Sequence, residues 1–335
     1  MITDPLDEAL DLLHKAERTA SPELDAIRAK VLAAADSPVK PKLRPVLWLA
    51  AAAAVVLLTA SQVVPHPGAP VAPKISLASA SEFLNAAADR QHDDQGPYRL
   101  VETHSFDAVS QQLTATTGYS YLVEHREQLW IPADPQKQWV MRRAAGAAKW
   151  LGGSIPEAQT SPPAPDRTAQ GEWRADCGAF FPSVNGKRPC EDPTDQDSQA
   201  FYRQLPRDPH QLLAFMAAQT KGHGSTPLAE FRYATSVLLD GMMPANLRAD
   251  WYRAMALIPN VRITADQATV DGHDGVAIGL ADDEEHDDVI IDRGTGELIG
   301  QRVLVGEHSQ DYPWLKPGTL LESSAVAITT VDHIG

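Results

Sequence analysis

Cysteine and positive charge are scarce in this chain, and recognisable catalytic motifs are missing; each shortage closes off a class of function. The only cysteines are Cys177 and Cys190, too few and too far apart for a zinc site, and they do not form the Cys-x-x-Cys of a thiol oxidoreductase. Lys and Arg together number 29 against 44 Asp and Glu, a net charge of -15. Such an acidic balance argues against nucleic acid as a partner and against electrostatic docking on anionic lipid. No Gly-x-Ser-x-Gly, His-Glu-x-x-His, Walker A or strand-following Gly-x-Gly-x-x-Gly is present. The histidines are scattered singly. Gly222-His-Gly-Ser225 offers a serine beside a histidine, but it links two predicted helices and no base is identifiable. No catalytic residue, metal ligand or cofactor is therefore expected.

What the chain does have is a long apolar run. Between Val46 and Val64 there is no charge, and only Thr59, Ser61 and Gln62 are polar. As a helix this run would be roughly 28 Å long, close to the hydrocarbon thickness of a bilayer. A buried core helix would carry a polar stripe at the helical period, and none is visible. A cleaved signal peptide would need a shorter leader and a small-x-small site, and Leu58-Thr59-Ala60 places a bulky residue where a small one is wanted. The run is read as a retained anchor in the lipid bilayer. Arg28, Lys30, Lys40, Lys42 and Arg44 crowd its N-terminal side, whereas the next basic residue is Lys74. The positive-inside rule then places the N-terminus in the cytoplasm and the C-terminal part outside the cell membrane, as a single-pass protein.

Four segments follow from this reading: a helical cytoplasmic tail (1–45), the transmembrane helix (46–64), a Pro-rich linker (65–78) and an extracytoplasmic domain (79–335). In the tail, Leu6, Leu10 and Leu13 share one helical face, as do Leu24, Ile27, Val31 and Ala34. These faces pair as a weak hairpin or stay unfolded, or they form a docking surface for a cytoplasmic protein within residues 4–35; the sequence leaves these readings open. Cys177 and Cys190, both on the outer side, are expected to form a disulfide in an oxidising compartment.

The outer domain reads as β-strands, then helices, then β-strands. Strands are expected over Tyr98–Phe106, Thr117–Ile131 and Gln138–Trp150, and again over Val261–Val270, Val276–Leu280, Val289–Ile291, Leu298–Val305 and Leu320–Val331. Helices are expected over Ala80–Arg90, from Asp208-Pro209, over Pro227–Leu239 and over Pro244–Leu257, with a loop from 152 to about 198. The order predicts an α+β fold in which a curved antiparallel sheet carries several helices on one face. Asp271-Gly-His-Asp-Gly275 reads as a β-turn rather than a site, and Asp292-Arg-Gly-Thr-Gly-Glu297 as the link of a hairpin. Asp282-Asp-Glu-Glu-His-Asp-Asp288 reads as a solvated acidic turn, because it lacks the spacing and glycine of a calcium loop. Trp130, Trp139, Trp150 and Trp173 fit a core or an apolar ligand groove, and strand alternation favours the core.

Three stretches carry a family resemblance. Leu205-Pro-Arg-Asp-Pro-His-Gln-Leu-Leu213, Pro244–Val261 and Ile291-Asp-Arg-Gly-Thr-Gly-Glu-Leu-Ile-Gly300 resemble segments of actinobacterial single-pass membrane-anchored proteins of unassigned function, associated with extracytoplasmic-function sigma factors. Asn260 stands where those proteins usually have glycine. The resemblance implies an outer domain similar to lipoprotein-carrier and sigma-regulator sensor domains, and it brings no catalytic residues. Three functions are thus expected in descending order. The first is a membrane-anchored sensor or regulator whose outer domain binds an apolar ligand or a protein. The second is a tethered binding module without signalling, and the third an anchored hydrolase using Ser225 or His223.

Overall fold

Ser79 opens the first helix because its hydroxyl accepts the Glu82 N–H at 3.1 Å, one of the donors a helix start leaves unmet. The computed structural model describes residues 79–93, 95–164, 170–181, 188–196, 198–222 and 226–335, all within one compact unit. The expected tail, membrane span and linker (1–78) lie outside the described residues, as do Asn185, Gly186, His223 and Ser225. Among the described residues no helix is long and apolar enough to cross a membrane.

After α1 (Ala80–Ala88) come β1 (Tyr98–Gln112), β2 (Gly118–Pro132), β3 (Gln138–Ala145), β4 (Lys149–Gly153) and β5 (Gly171–Asp176). Helices α2 (Gln199–Gln204), α3 (Pro209–Gln219), α4 (Thr226–Leu239) and α5 (Ala245–Met255) follow. The chain closes with β6 (Arg262–Val270), β7 (His273–Ala281), β8 (Glu285–Ile291), β9 (Leu298–Val305) and β10 (Leu320–Val331). The sheet order is β5-β3-β2-β1-β10-β9-β8-β7-β6, with β4 paired to the outer part of β2. Every pairing is antiparallel. The first and last strands meet in the middle, from Tyr98↔Val331 to Asp107↔Glu322, so two meanders become one sheet.

The α+β expectation holds. One sheet face supplies Val101, Ile131, Trp139, Val276, Ile278, Val289, Ile291 and Val326 to a core shared with the helices. In α5, Leu247, Trp251 and Met255 are buried at helical spacing, and Trp251 Nε1 also donates to the Ala234 carbonyl at 3.0 Å. Truncating a tryptophan so placed costs about 3–5 kcal/mol. On the opposite face, Ala268 and Val270 of β6 pack with Ala277, Ile290 and Ala325, so the C-terminal edge of the sheet curls back over itself.

Most expected boundaries fall within a few residues of the observed ones, and β9 and β10 match. Three corrections arise. The strand expected over Gln138–Trp150 breaks near Gly146, whose N–H bonds the Glu124 carbonyl at 2.8 Å, and resumes as β4. The stretch expected as loop contains β5, an edge strand carrying Glu172, Arg174 and Asp176 that pairs only with β3. Just beyond that stretch lies α2, not expected and too short to show a period, which Ser198 caps and which buries Phe201 and Tyr202.

Candidate functional site

A cavity of about 1050 Å³ is bordered by β1, β2, β3, β10 and the tip of the β6–β7 hairpin. Its border is charged: Glu102 and His104 on β1, Arg126 on β2, Arg142 on β3, Glu172 on β5 and Asp271 on the hairpin. Register explains the grouping. Glu102 pairs with Gln128 and His104 with Arg126, while Gln128 and Arg126 pair onward with Arg142 and Ala144, so alternate residues of three strands share one face. Charges are matched locally. Arg142 Nε donates to Glu172 at 2.6 Å, and its guanidinium lies 4.8 Å from the centre of the Trp130 ring.

The hairpin tip is fastened to this face by His104. Its Nδ1 lies 2.9 Å from Asp271 and its Nε2 3.0 Å from Glu124. Arg126 Nε donates to the same Glu124 oxygen at 2.9 Å. The bonds from Arg126 and His104 hold the Glu124 carboxyl below the usual glutamate range. Asp271 and Gly272 take positive φ of 47° and 80°, giving the tight two-residue turn expected from the sequence.

The acidic run is the main correction. Asp282 does form a turn, accepting the N–H groups of Glu284 and Glu285 at 2.9 Å each. From Glu285 onward, however, the residues belong to β8 and go inward. Asp287, 6% exposed, accepts Arg232 Nε and Nη2 from α4, each at 2.9 Å, and Arg232 also bonds Glu285. Asp288, 1% exposed, accepts Thr264 Oγ1 at 2.5 Å, His286 Nε2 at 2.9 Å and Arg302 Nε at 2.8 Å. Burial alone would raise the Asp288 carboxyl, but these three bonds outweigh it and hold it below the ordinary aspartate range. Beside them a second cavity of about 430 Å³ is lined by Asp107, Glu285, Asp287 and Glu322. Burial raises the carboxyls of Glu285 and Glu322; Arg232 opposes this at Glu285, whereas Asp107 adds to it at Glu322. Strand alternation around Val289 hints that Asp287 faces inward. Arg232, its partner 55 residues earlier, carries no local signal.

Cys177 and Cys190 are bonded, with Cα atoms 5.1 Å apart, and both are buried in the main core. The bridge ties the segment after β5 to the region beside Trp139. Trp130 and Trp139 are core residues on opposite faces of the sheet. Trp150 packs on Tyr119 and Tyr121, and Trp173 on Phe181. None of the four borders the large cavity, so an aromatic-lined groove is not what the tryptophans build.

No protein-family model matches this sequence, and no curated protein matches it. Among solved structures, a crystal structure of MucB is 12% identical and superposes with a TM-score of 0.23, covering 76% of this chain and 60% of that one. A complex of Pseudomonas aeruginosa MucA and MucB gives 12% identity and a TM-score of 0.22, covering 76% and 58%. The chain thus spans about 60% of the length of these structures. Superposition scores this low carry no weight for function.

Proposed function

We propose that this chain is a non-catalytic, membrane-anchored regulator whose outer domain binds a polypeptide and whose N-terminal tail engages a cytoplasmic partner linked to an extracytoplasmic-function sigma factor. The observation that carries the binding half is the large cavity, whose border sets paired charges of β1, β2 and β3 beside apolar Leu238, Leu298, Ile299 and Ile328. Such a mixed border suits the interspersed polar and apolar groups of a polypeptide. The anchoring and signalling half rests on the apolar run 46–64, its basic N-terminal flank and the family resemblance. Its test uses residues 1–45 as bait against cytoplasmic extract. A sigma factor or its dedicated inhibitor in the captured set supports the reading; no specific cytoplasmic protein removes it.

A second reading, a tethered binding module without signalling, draws on the same cavity, which lies wholly within the C-terminal domain. Replacing residues 1–40 with an unrelated segment separates the two. Function survives in a tethered module and is lost in a regulator.

A further inference from the structure

We infer that His104 is a proton-dependent latch that holds the β6–β7 hairpin against β1 and β2 at the edge of the large cavity. The geometry is that of one imidazole between two carboxylates, Asp271 at 2.9 Å from Nδ1 and Glu124 at 3.0 Å from Nε2. A carboxylate accepts and does not donate, so each contact is a hydrogen bond only when the ring nitrogen carries a proton. Both nitrogens are protonated only in the imidazolium ion. The neutral ring keeps one bond and turns a lone pair toward the other carboxylate.

The surroundings favour losing the hairpin side. Glu124 keeps Arg126 as a partner at 2.9 Å, on a side chain that is 19% exposed. Asp271 stands on the turn, 46% exposed, and reaches β1 through His104. The other groups facing His104 are few. Glu102 lies two residues along the same face of β1, Ala325 sits opposite on β10, and Phe106 packs on the ring at 4.8 Å. His273 and Asp274, on the hairpin itself, border the same cavity. Ala268 and Val270, packed with Ile290 and Ala325, hold the body of the hairpin, and among the described residues His104 is the polar tie at its tip. β6 pairs only with β7, through two register shifts. As control over the binding cavity, the latch rests on the reading above. As a property of the hairpin it does not.

Hydrogen exchange on the full chain tests it, comparing about pH 5.5 with about pH 8, the range over which histidine changes charge, after correction for intrinsic exchange. The peptide covering Arg262–Gly275 is expected to exchange at least about fivefold faster at the higher pH, while a peptide from the β8–β9 hairpin is unchanged. In His104→Gln, which cannot gain a proton, the Arg262–Gly275 peptide should exchange fast at both pH values. Equal protection at both pH values in the unaltered chain overturns the proposal. So does a pH response that persists in His104→Gln, which would point instead to His286 acting through Asp288 and Thr264. Should His104→Gln fail to fold, Asp271→Gly removes the acceptor at a half-exposed turn position whose φ of 47° glycine adopts freely. It too should exchange fast at both pH values, and a retained pH response there overturns the latch. The experiment reads the hairpin directly, so its failure is separable from a failure to capture a partner.

Discussion

Arg232 on α4 grips Asp287 on β8 through two nitrogens, Nε and Nη2, each 2.9 Å from a different carboxylate oxygen. This two-pronged contact ties the helix layer to the sheet and neutralises a buried carboxylate of the smaller cavity. Arg232→Ala would leave Asp287 and Glu285 close together without the guanidinium they share. A fully buried pair broken in this way costs about 3–5 kcal/mol; here the guanidinium side chain is 43% exposed, so about 2 kcal/mol is expected. Chemical denaturation checks the value. Adding Asp287→Asn to Arg232→Ala should recover part of the loss, because the stranded charge is then gone.

Glu322 gives a pH-dependent counterpart. Burial and the neighbouring Asp107 raise its folded-state carboxyl above the usual glutamate range. A carboxyl raised on folding is neutral in both states at low pH and contributes nothing there. Above the folded value it is charged in both states, and folding then carries the cost of the buried charge. Glu322→Gln removes that cost and keeps an acceptor for Gln301, its present hydrogen-bond partner. The variant should melt about 1–3 °C higher near neutral pH and match the unaltered chain below about pH 4. Calorimetry at the two pH values reads both halves of this expectation.

The two preceding contacts show where the sequence was readable and where it was not. Alternation along Leu298–Val305 and Leu320–Val331, and the Asp208-Pro209 start of α3, are local signals, and the structure follows them closely. The acidic run misled because its local chemistry is that of a turn; only a partner 55 residues away, Arg232, makes Asp287 a buried residue. The same holds for the large cavity. It depends on β1 pairing β10 across more than two hundred residues and on the hairpin tip reaching His104, and neither contact leaves a periodic trace. β5 escaped because this edge strand buries none of its six residues, which leaves its alternation faint, and α2 because six residues are less than two helical turns.

Removing the disulfide tests how much the region after β5 depends on it. Cys177 and Cys190 are 13 residues apart, and closing a loop of that size stabilises by about 3 kcal/mol in the chain-entropy model. The double variant Cys177→Ser, Cys190→Ser should therefore melt about 5–10 °C lower. Both sulfurs are buried, so a reductant without denaturant should leave them unlabelled by a thiol reagent, while reductant with denaturant should expose both. Mass spectrometry after labelling distinguishes the outcomes. Labelling by reductant alone would mean that the loop opens without global unfolding.

Asn260, a few residues after α5, holds a backbone conformation that few side chains accept. Its φ is +67°, in the left-handed region that asparagine tolerates and glycine enters freely. The turn lets the chain leave the helix core, where Ile258 is buried, and start β6 at Arg262. Asn260→Gly should be close to neutral, within about 0.5 kcal/mol, because the gain in backbone ease offsets the freedom added to the unfolded chain. Asn260→Val should cost about 1–2 kcal/mol, since a β-branched side chain crowds the carbonyl at positive φ. Urea denaturation of the three proteins decides it: a valine variant as stable as the asparagine chain would show that the turn relaxes to negative φ at no cost.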